Sequence, residues 1–181
     1  MRVTVFGGSE PRPGDPAYQE AFRLGQLLGL KGWTVLTGGY IGTMEAVSRG
    51  AAEAGGHVIG VTCDEIEAWR PVRPNAWVQD EIRFPSLRQR LNALIDQCEA
   101  AIALPGGVGT LAEVAMMWSN LQTGVITPRR LILVGPGWRS VIDQFVTVLG
   151  GYVLPQHRQL ITFASDVESA VAFLFAPDEK G

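Results

Sequence analysis

Short runs of β-branched and apolar residues alternate with segments of helical period along almost the whole chain, and this alternation narrows the fold more than any other feature. Strands are predicted near residues 3–6, 33–37, 57–62, 76–82, 100–104, 131–134 and 160–163. Amphipathic helices are predicted near 18–30, 43–54, 86–97, 110–121, 138–149 and 166–175. A strand–helix–strand unit closes as a right-handed crossover, so the strands run parallel and helices cover both sheet faces. An eight-fold barrel needs roughly 250 residues, and this chain has 181. The expectation is an α/β, Rossmann-like, doubly wound and mainly parallel sheet of about seven strands, forming a single domain over residues 1–176. Residues 177–181 are expected to form a flexible tail. The least regular stretch, 64–75, contains Trp69, Pro71 and Pro74 and reads as a loop over the carboxyl edge of the sheet, in the manner of a lid.

Three of the predicted strands end in glycine turns. They are VTVFGGS (Gly7, Gly8, Ser9), TVLTGGYIGTM (Gly38, Gly39, Gly42, Thr43, Met44) and IALPGGVGTLAE (Gly106, Gly107, Gly109, Thr110). In an open α/β sheet the ligand sits outside the carboxyl ends of the strands, where these turns fall. Glycine allows close backbone approach, and the following helix N-terminus offers free N–H groups and a positive dipole end, which together suit a phosphate. A single turn of this kind is equally well explained by steric need; three on one edge favour a phosphate-bearing ligand. There is no GxxxxGK[ST], and no GxGxxG follows the first strand, so neither a P-loop nor an ordinary dinucleotide site is expected.

Glu113 follows Thr110 by three residues in T-L-A-E. One reading is a capping box, with Thr110 as the cap and Glu113 reaching back to it. The other is a carboxylate in the first helical turn beside the cradle, able to orient a sugar hydroxyl, activate water or stabilise an oxocarbenium ion. The two are compatible. Ser86 and Gln89 form a second capping-box pattern, opening a helix whose apolar face is Leu87, Leu91, Leu94, Ile95 and Cys98. Arg88 and Arg90 fall in its first turn, where each cation opposes the dipole by a few tenths to about 1 kcal/mol. A bound anion would offset that cost; solvated surface arginines are the alternative, and periodicity does not choose between the two residues.

Charge and composition trim the partners. A net charge of −3 argues against a nucleic-acid surface. No apolar run approaches the ~18 residues of a membrane span, and the start reaches glycine and acidic residues too early for a signal peptide. Cys63, Cys98, His57 and His157 show no metal or redox spacing, so no metal and no cofactor are expected, and a cytoplasmic setting with free thiols fits best.

Taken together, these motifs resemble one family. PGGVGTLAE is similar to the PGGxGTxxE signature of the LONELY GUY (LOG) proteins, once widely labelled possible lysine decarboxylases. The resemblance covers about the first 150 residues, including VFGGS and the GGYIGTMEAVSRGAAEAGGHVIGV block. It implies a phosphoribohydrolase that splits adenosine-type and cytokinin 5′-monophosphates into free base and ribose 5-phosphate. Carried over by position, the signature glutamate is Glu113 and the functional arginine, 15 residues before the signature proline, is Arg90. In the leading hypothesis the Gly106–Thr110 turn and Arg90 hold the phosphate while Glu113 acts at the ribose C1′. The chain departs from the usual S-M-H-x-R-K motif, having Arg88 for the histidine and Leu91 for the lysine. The alternative is a non-catalytic binder of a nucleotide or phosphorylated cofactor, as in molybdenum-cofactor carriers that share this fold. The decarboxylase label is not expected to hold. Pyridoxal chemistry needs a Schiff-base lysine, and the two lysines, Lys31 and Lys180, lie away from the predicted carboxyl edge or in the tail. The resemblance also implies a homodimer or larger. Met116, Met117 and Trp118 agree, because successive helix positions are ~100° apart and one of the three must face a partner or a covering loop.

Overall fold

The computed structural model describes residues 1–175. The predicted tail, including Lys180, lies outside them. Seven strands are present: β1 (Arg2–Phe6), β2 (Thr34–Thr37), β3 (His57–Cys63), β4 (Asp80–Phe84), β5 (Ala100–Ala103), β6 (Arg130–Val134) and β7 (Ile161–Ala164). They form one sheet in the order β4-β3-β2-β1-β5-β6-β7, and every neighbouring pair is parallel. The chain therefore begins at the centre, winds out to β4, crosses back and continues from β5 to the other edge. The winding reverses between β1 and β5, where Val3–Phe6 lie in register with Ala100–Ala103. That reversal is where an open α/β sheet leaves a crevice at its carboxyl edge.

The helices are α1 (Pro16–Leu30), α2 (Thr43–Glu53), α3 (Asp64–Trp69), α4 (Leu87–Asp96), α5 (Val108–Thr123), α6 (Pro136–Leu149), α7 (Pro155–Arg158) and α8 (Val167–Phe173). Strand alternation sorts the core into two layers. Val3 and Val5 pack on the side of α1, α2 and α8, whereas Phe6, Leu131 and Leu133 pack on the side of α4, α5 and α6. With both faces covered, β5 is buried throughout and β6 beyond its first residue, which is why their sequences read as apolar runs. The polar Thr4 is tolerated there because its hydroxyl donates to the Leu94 carbonyl at 2.7 Å.

The fold class, the strand count and six helices agree with the sequence reading. The differences are local and have physical causes. Residues 76–79 do not join β4, because Asn75 organises a turn: its Oδ1 accepts from Trp77 N–H at 3.1 Å and its carbonyl from Val78 N–H at 3.2 Å. The supposed loop over 64–75 opens with α3, whose first turn carries Asp64, Glu65 and Glu67, acids that suit a helix N-terminus. Ser86 does cap α4, accepting Gln89 N–H at 3.3 Å, but the Gln89 side chain meets the Ser86 hydroxyl instead of its backbone. The capping box proposed for Thr110 and Glu113 is absent. Gly107 takes the cap position and α5 begins at Val108, so Thr110 already lies inside the first turn and Glu113 in the second.

Candidate active site

The three glycine turns interlock at the carboxyl edge. Gly8 N–H donates to the Pro105 carbonyl at 3.2 Å, tying the first turn to the third. Thr43 N–H donates to the Gly8 carbonyl at 2.9 Å, tying the second to the first. Gly42 caps α2 at φ +74°, a left-handed value, and a Cβ there would sit 2.6 Å from Ser9 Cα. Only glycine serves at that crossing. The starts of α2 and α5 thus meet at the Gly8–Ser9 turn. At α5 the first helical hydrogen bond is Leu111 N–H to the Gly107 carbonyl, at 3.0 Å. The N–H groups of 108–110 precede it and are the donors a helix start leaves for an anion.

The glycines divide by what surrounds them. A Cβ on Gly7 would collide with Thr43, one on Gly38 with Arg90 Nη2, and one on Gly106 with Thr110 Oγ1. These residues are glycine because the protein's own site side chains fill the space. Gly39 meets Gly60 and Thr62 of β3, and its carbonyl accepts from Asn75, so its role is to hold the turn to the sheet. A Cβ on Gly107 or Gly109 would meet nothing, and both residues are exposed. Their lack of a side chain leaves the outer face of the cradle open.

Behind that cradle lies a buried ion pair. Arg90, 5% exposed, and Glu113, 9% exposed, approach to 3.9 Å between Nη1 and Oε1. Arg90 Nε donates to the Val61 carbonyl at 2.7 Å, and its guanidinium lies 5.7 Å from the centre of the Tyr40 ring. Tyr40 is itself locked to β3, its hydroxyl accepting from Cys63 N–H at 2.9 Å. Burial pushes the Glu113 carboxyl up from its usual 4.5 to about 7, with the Arg90 cation pulling the other way. Such a group exchanges a proton close to neutrality, which suits a general acid or base.

Of the predicted site residues, Gly7, Gly8, Ser9, Gly38, Gly42, Thr43, Gly106, Gly107, Gly109, Thr110, Arg90 and Glu113 come together here. Arg88 does not join the buried pair: it is exposed on α4 while Arg90 is buried. Arg90 faces Glu113 from inside the protein, so its charge is engaged there. Two arginines outside every predicted motif also reach the site. Arg12 and Arg70 both donate to Ser9.

A family model described as possible lysine decarboxylase matches residues 44–174 of this chain. The chain belongs to this family, the LOG proteins. A probable cytokinin riboside 5′-monophosphate phosphoribohydrolase of Oryza sativa subsp. japonica is 31% identical to this LOG-family chain over 94% of it and 75% of the relative. A pyrimidine/purine nucleotide 5′-monophosphate nucleosidase of Escherichia coli K12 is 33% identical, matching 91% of this chain but only 38% of that longer protein. Among solved structures, the molybdenum cofactor binding protein of Rippkaea orientalis superposes with a TM-score of 0.74 at 27% identity, over 96% of this chain and 94% of that one. Among the described residues no lysine lies at the site that the family's descriptive label would need. Lys31 follows α1 at the amino side of β2, exposed, its Nζ 4.9 Å from the Phe175 ring.

Proposed function

We propose that this chain hydrolyses the N-glycosidic bond of nucleoside 5′-monophosphates, releasing the free base and ribose 5-phosphate. The observation that carries the reading is the buried pair of Glu113, on the helix whose open start forms the cradle, and Arg90, which faces it from α4. A phosphate at the N–H groups of 108–110 would place the sugar along α5. At 1.5 Å per residue the helix start and Glu113 are about 7 Å apart, a span suited to a ribose 5-phosphate. As the C1′–N bond breaks, its electron pair leaves with the base, which takes up a proton, and the ring becomes an oxocarbenium ion. The Glu113 carboxylate stabilises that cation and accepts a proton from the water whose oxygen bonds to C1′. Arg90 keeps enough of Glu113 ionised near neutral pH for this role. The names of the rice and E. coli relatives support the reading. Chromatographic detection of adenine from adenosine 5′-monophosphate tests the proposal, and its loss in Glu113→Gln assigns the residue.

A second reading, a carrier of a phosphorylated cofactor, is favoured by the close superposition on the Rippkaea orientalis protein. Tight nucleotide or cofactor binding with no base release would select it. We also propose a homodimer in the cytoplasm. Of the consecutive apolar trio, Met117 is buried and Trp118 is covered, its indole N–H donating to the His157 carbonyl at 2.6 Å. Met116 remains 39% exposed, alongside exposed Leu111 and Val108 on the same helix, and this apolar surface suits a second copy. Cys63 and Cys98 are buried free thiols, which fit a reducing compartment.

A further inference from the structure

Two arginines converge on Ser9, and the chemistry assigned to Glu113 uses neither. Arg12 Nη1 donates to the Ser9 carbonyl at 2.8 Å, and Arg70 Nη1 donates to Ser9 Oγ at 3.1 Å. Arg12 belongs to the turn after β1, where its backbone N–H donates to Asp15 Oδ2 at 2.7 Å. Arg70 follows α3, its guanidinium 5.4 Å from the centre of the Trp69 ring. Its Nε is buried and meets no acceptor among the described residues. Most acids of the neighbouring segment are engaged elsewhere: Arg83 holds Asp64, Glu67 and Glu81, and Arg73 also pairs with Glu67. The carboxylate at hand is Glu10, exposed, 3.5 Å from Ser9 Oγ.

Position and charge point the same way. Ser9 lies against Gly42 at the start of α2, and its neighbour Gly8 bonds Pro105 and packs against Gly106 at the head of the cradle. A helix start supplies about half a positive charge, whereas a phosphate monoester carries about −1.5 to −2 at neutral pH. Arg90 cannot supply the remainder, because its charge is engaged by Glu113 inside the protein. We propose that Arg12 and Arg70 supply the counter-charge for the phosphate monoester of the ligand, and so select nucleotides over nucleosides. This rests on the reading of 106–110 as the phosphate cradle. Arg70 exchanges its weak hydroxyl acceptor for phosphate oxygens, which match the guanidinium fork and give the orphaned Nε a partner. A neutral nucleoside gains nothing from either arginine.

Calorimetric titration of the otherwise unchanged protein with ribose 5-phosphate and adenosine tests this, and adenosine 5′-monophosphate is titrated in the Glu113→Gln background so that substrate persists. Arg70→Ala and Arg12→Ala should each weaken binding of the two phosphate-bearing probes roughly 10- to 100-fold and leave adenosine unchanged. Arg70→Lys should recover part of the loss, since it restores charge without the fork. Variants that keep the parent's preference for the nucleotide over adenosine would overturn the arginine assignment while leaving the cradle intact. So would variants that lose adenosine binding by the same factor, because the arginines would then be structural. A parent protein that binds neither phosphate-bearing probe better than adenosine would overturn the cradle and this proposal together.

Discussion

Replacing Glu113 by Gln should make the protein more stable in alkaline solution while leaving its stability in acid nearly unchanged. The side chain keeps its shape and loses only the ability to ionise. In the folded protein the Glu113 carboxyl holds its proton up to about pH 7, whereas an unfolded chain releases it near 4.5. Between those values the unfolded state has lost the proton and the native state has not, so stability falls as pH rises. At 1.36 kcal/mol per pH unit, the loss over the window comes to about 3 kcal/mol. Above pH 7 both states are ionised and the full cost persists; below 4.5 both are protonated and it vanishes. The Gln variant carries no such cost at any pH, and other titrating groups cancel in the comparison. Urea unfolding of both proteins at pH 4.5 and pH 8 should give curves that nearly coincide at the first and separate by about 3 kcal/mol, in favour of the variant, at the second. A difference independent of pH would mean that Glu113 titrates like an exposed carboxyl. A variant less stable at pH 8 would mean that attraction to Arg90 outweighs the cost of burial.

The same substitution should lower kcat roughly 100-fold or more with nucleotide affinity nearly intact, measured by base release and by calorimetry; unchanged turnover would remove Glu113 from the chemistry. Since the carboxylate is the active form, kcat/KM should fall below about pH 7, and Arg90→Gln should move that limb to higher pH because the cation now holds the carboxyl down. A limb at ordinary carboxylate pH in the parent protein would contradict this. Gly109→Ala, in open space, should leave stability equal or up to about 1 kcal/mol higher while weakening nucleotide binding, whereas Gly38→Ala, which meets Arg90, should cost roughly 1–3 kcal/mol in a melting experiment. Light scattering should give twice the 19.5 kDa chain mass, and Met116→Glu should shift the protein toward the single-chain value; a monomeric parent protein would end the dimer proposal.

What could be read from the sequence depended on whether the feature is local. The strands and long helices are periodic, so each announces itself within its own segment. The glycine turns were legible for the same reason. Helix α3 escaped because its six residues bury no apolar stripe; the signal present was the acids of its first turn. Helix α5 starts two residues before periodicity puts it, because Gly107–Gly109 is a poor helical sequence yet Gly107 makes an acceptable cap at extended backbone angles. That shift changes the meaning of Glu113. Read as a cap partner it would be solvated; one turn further along it is buried, and burial is what moves its proton affinity.

The arginines show the limit more sharply. Arg88 and Arg90 share a helix turn, and periodicity does not choose between them. What separates them is the Val61 carbonyl, the Tyr40 ring and the space above Gly38, which belong to other strands and turns. Arg70 is 61 residues from the serine it bonds, in a segment without period. Long-range placement of this kind leaves a trace only indirectly, in the glycines. Gly38 and Gly106 make room for Arg90 and Thr110, and that room is used by the protein itself. Gly107 and Gly109 make room that no side chain uses. A glycine motif thus combines two demands that sequence cannot separate, internal packing of the catalytic side chains and clearance for a ligand. The structure separates them residue by residue, which is why clearance at Gly109 and packing at Gly38 should respond oppositely to the same added methyl group.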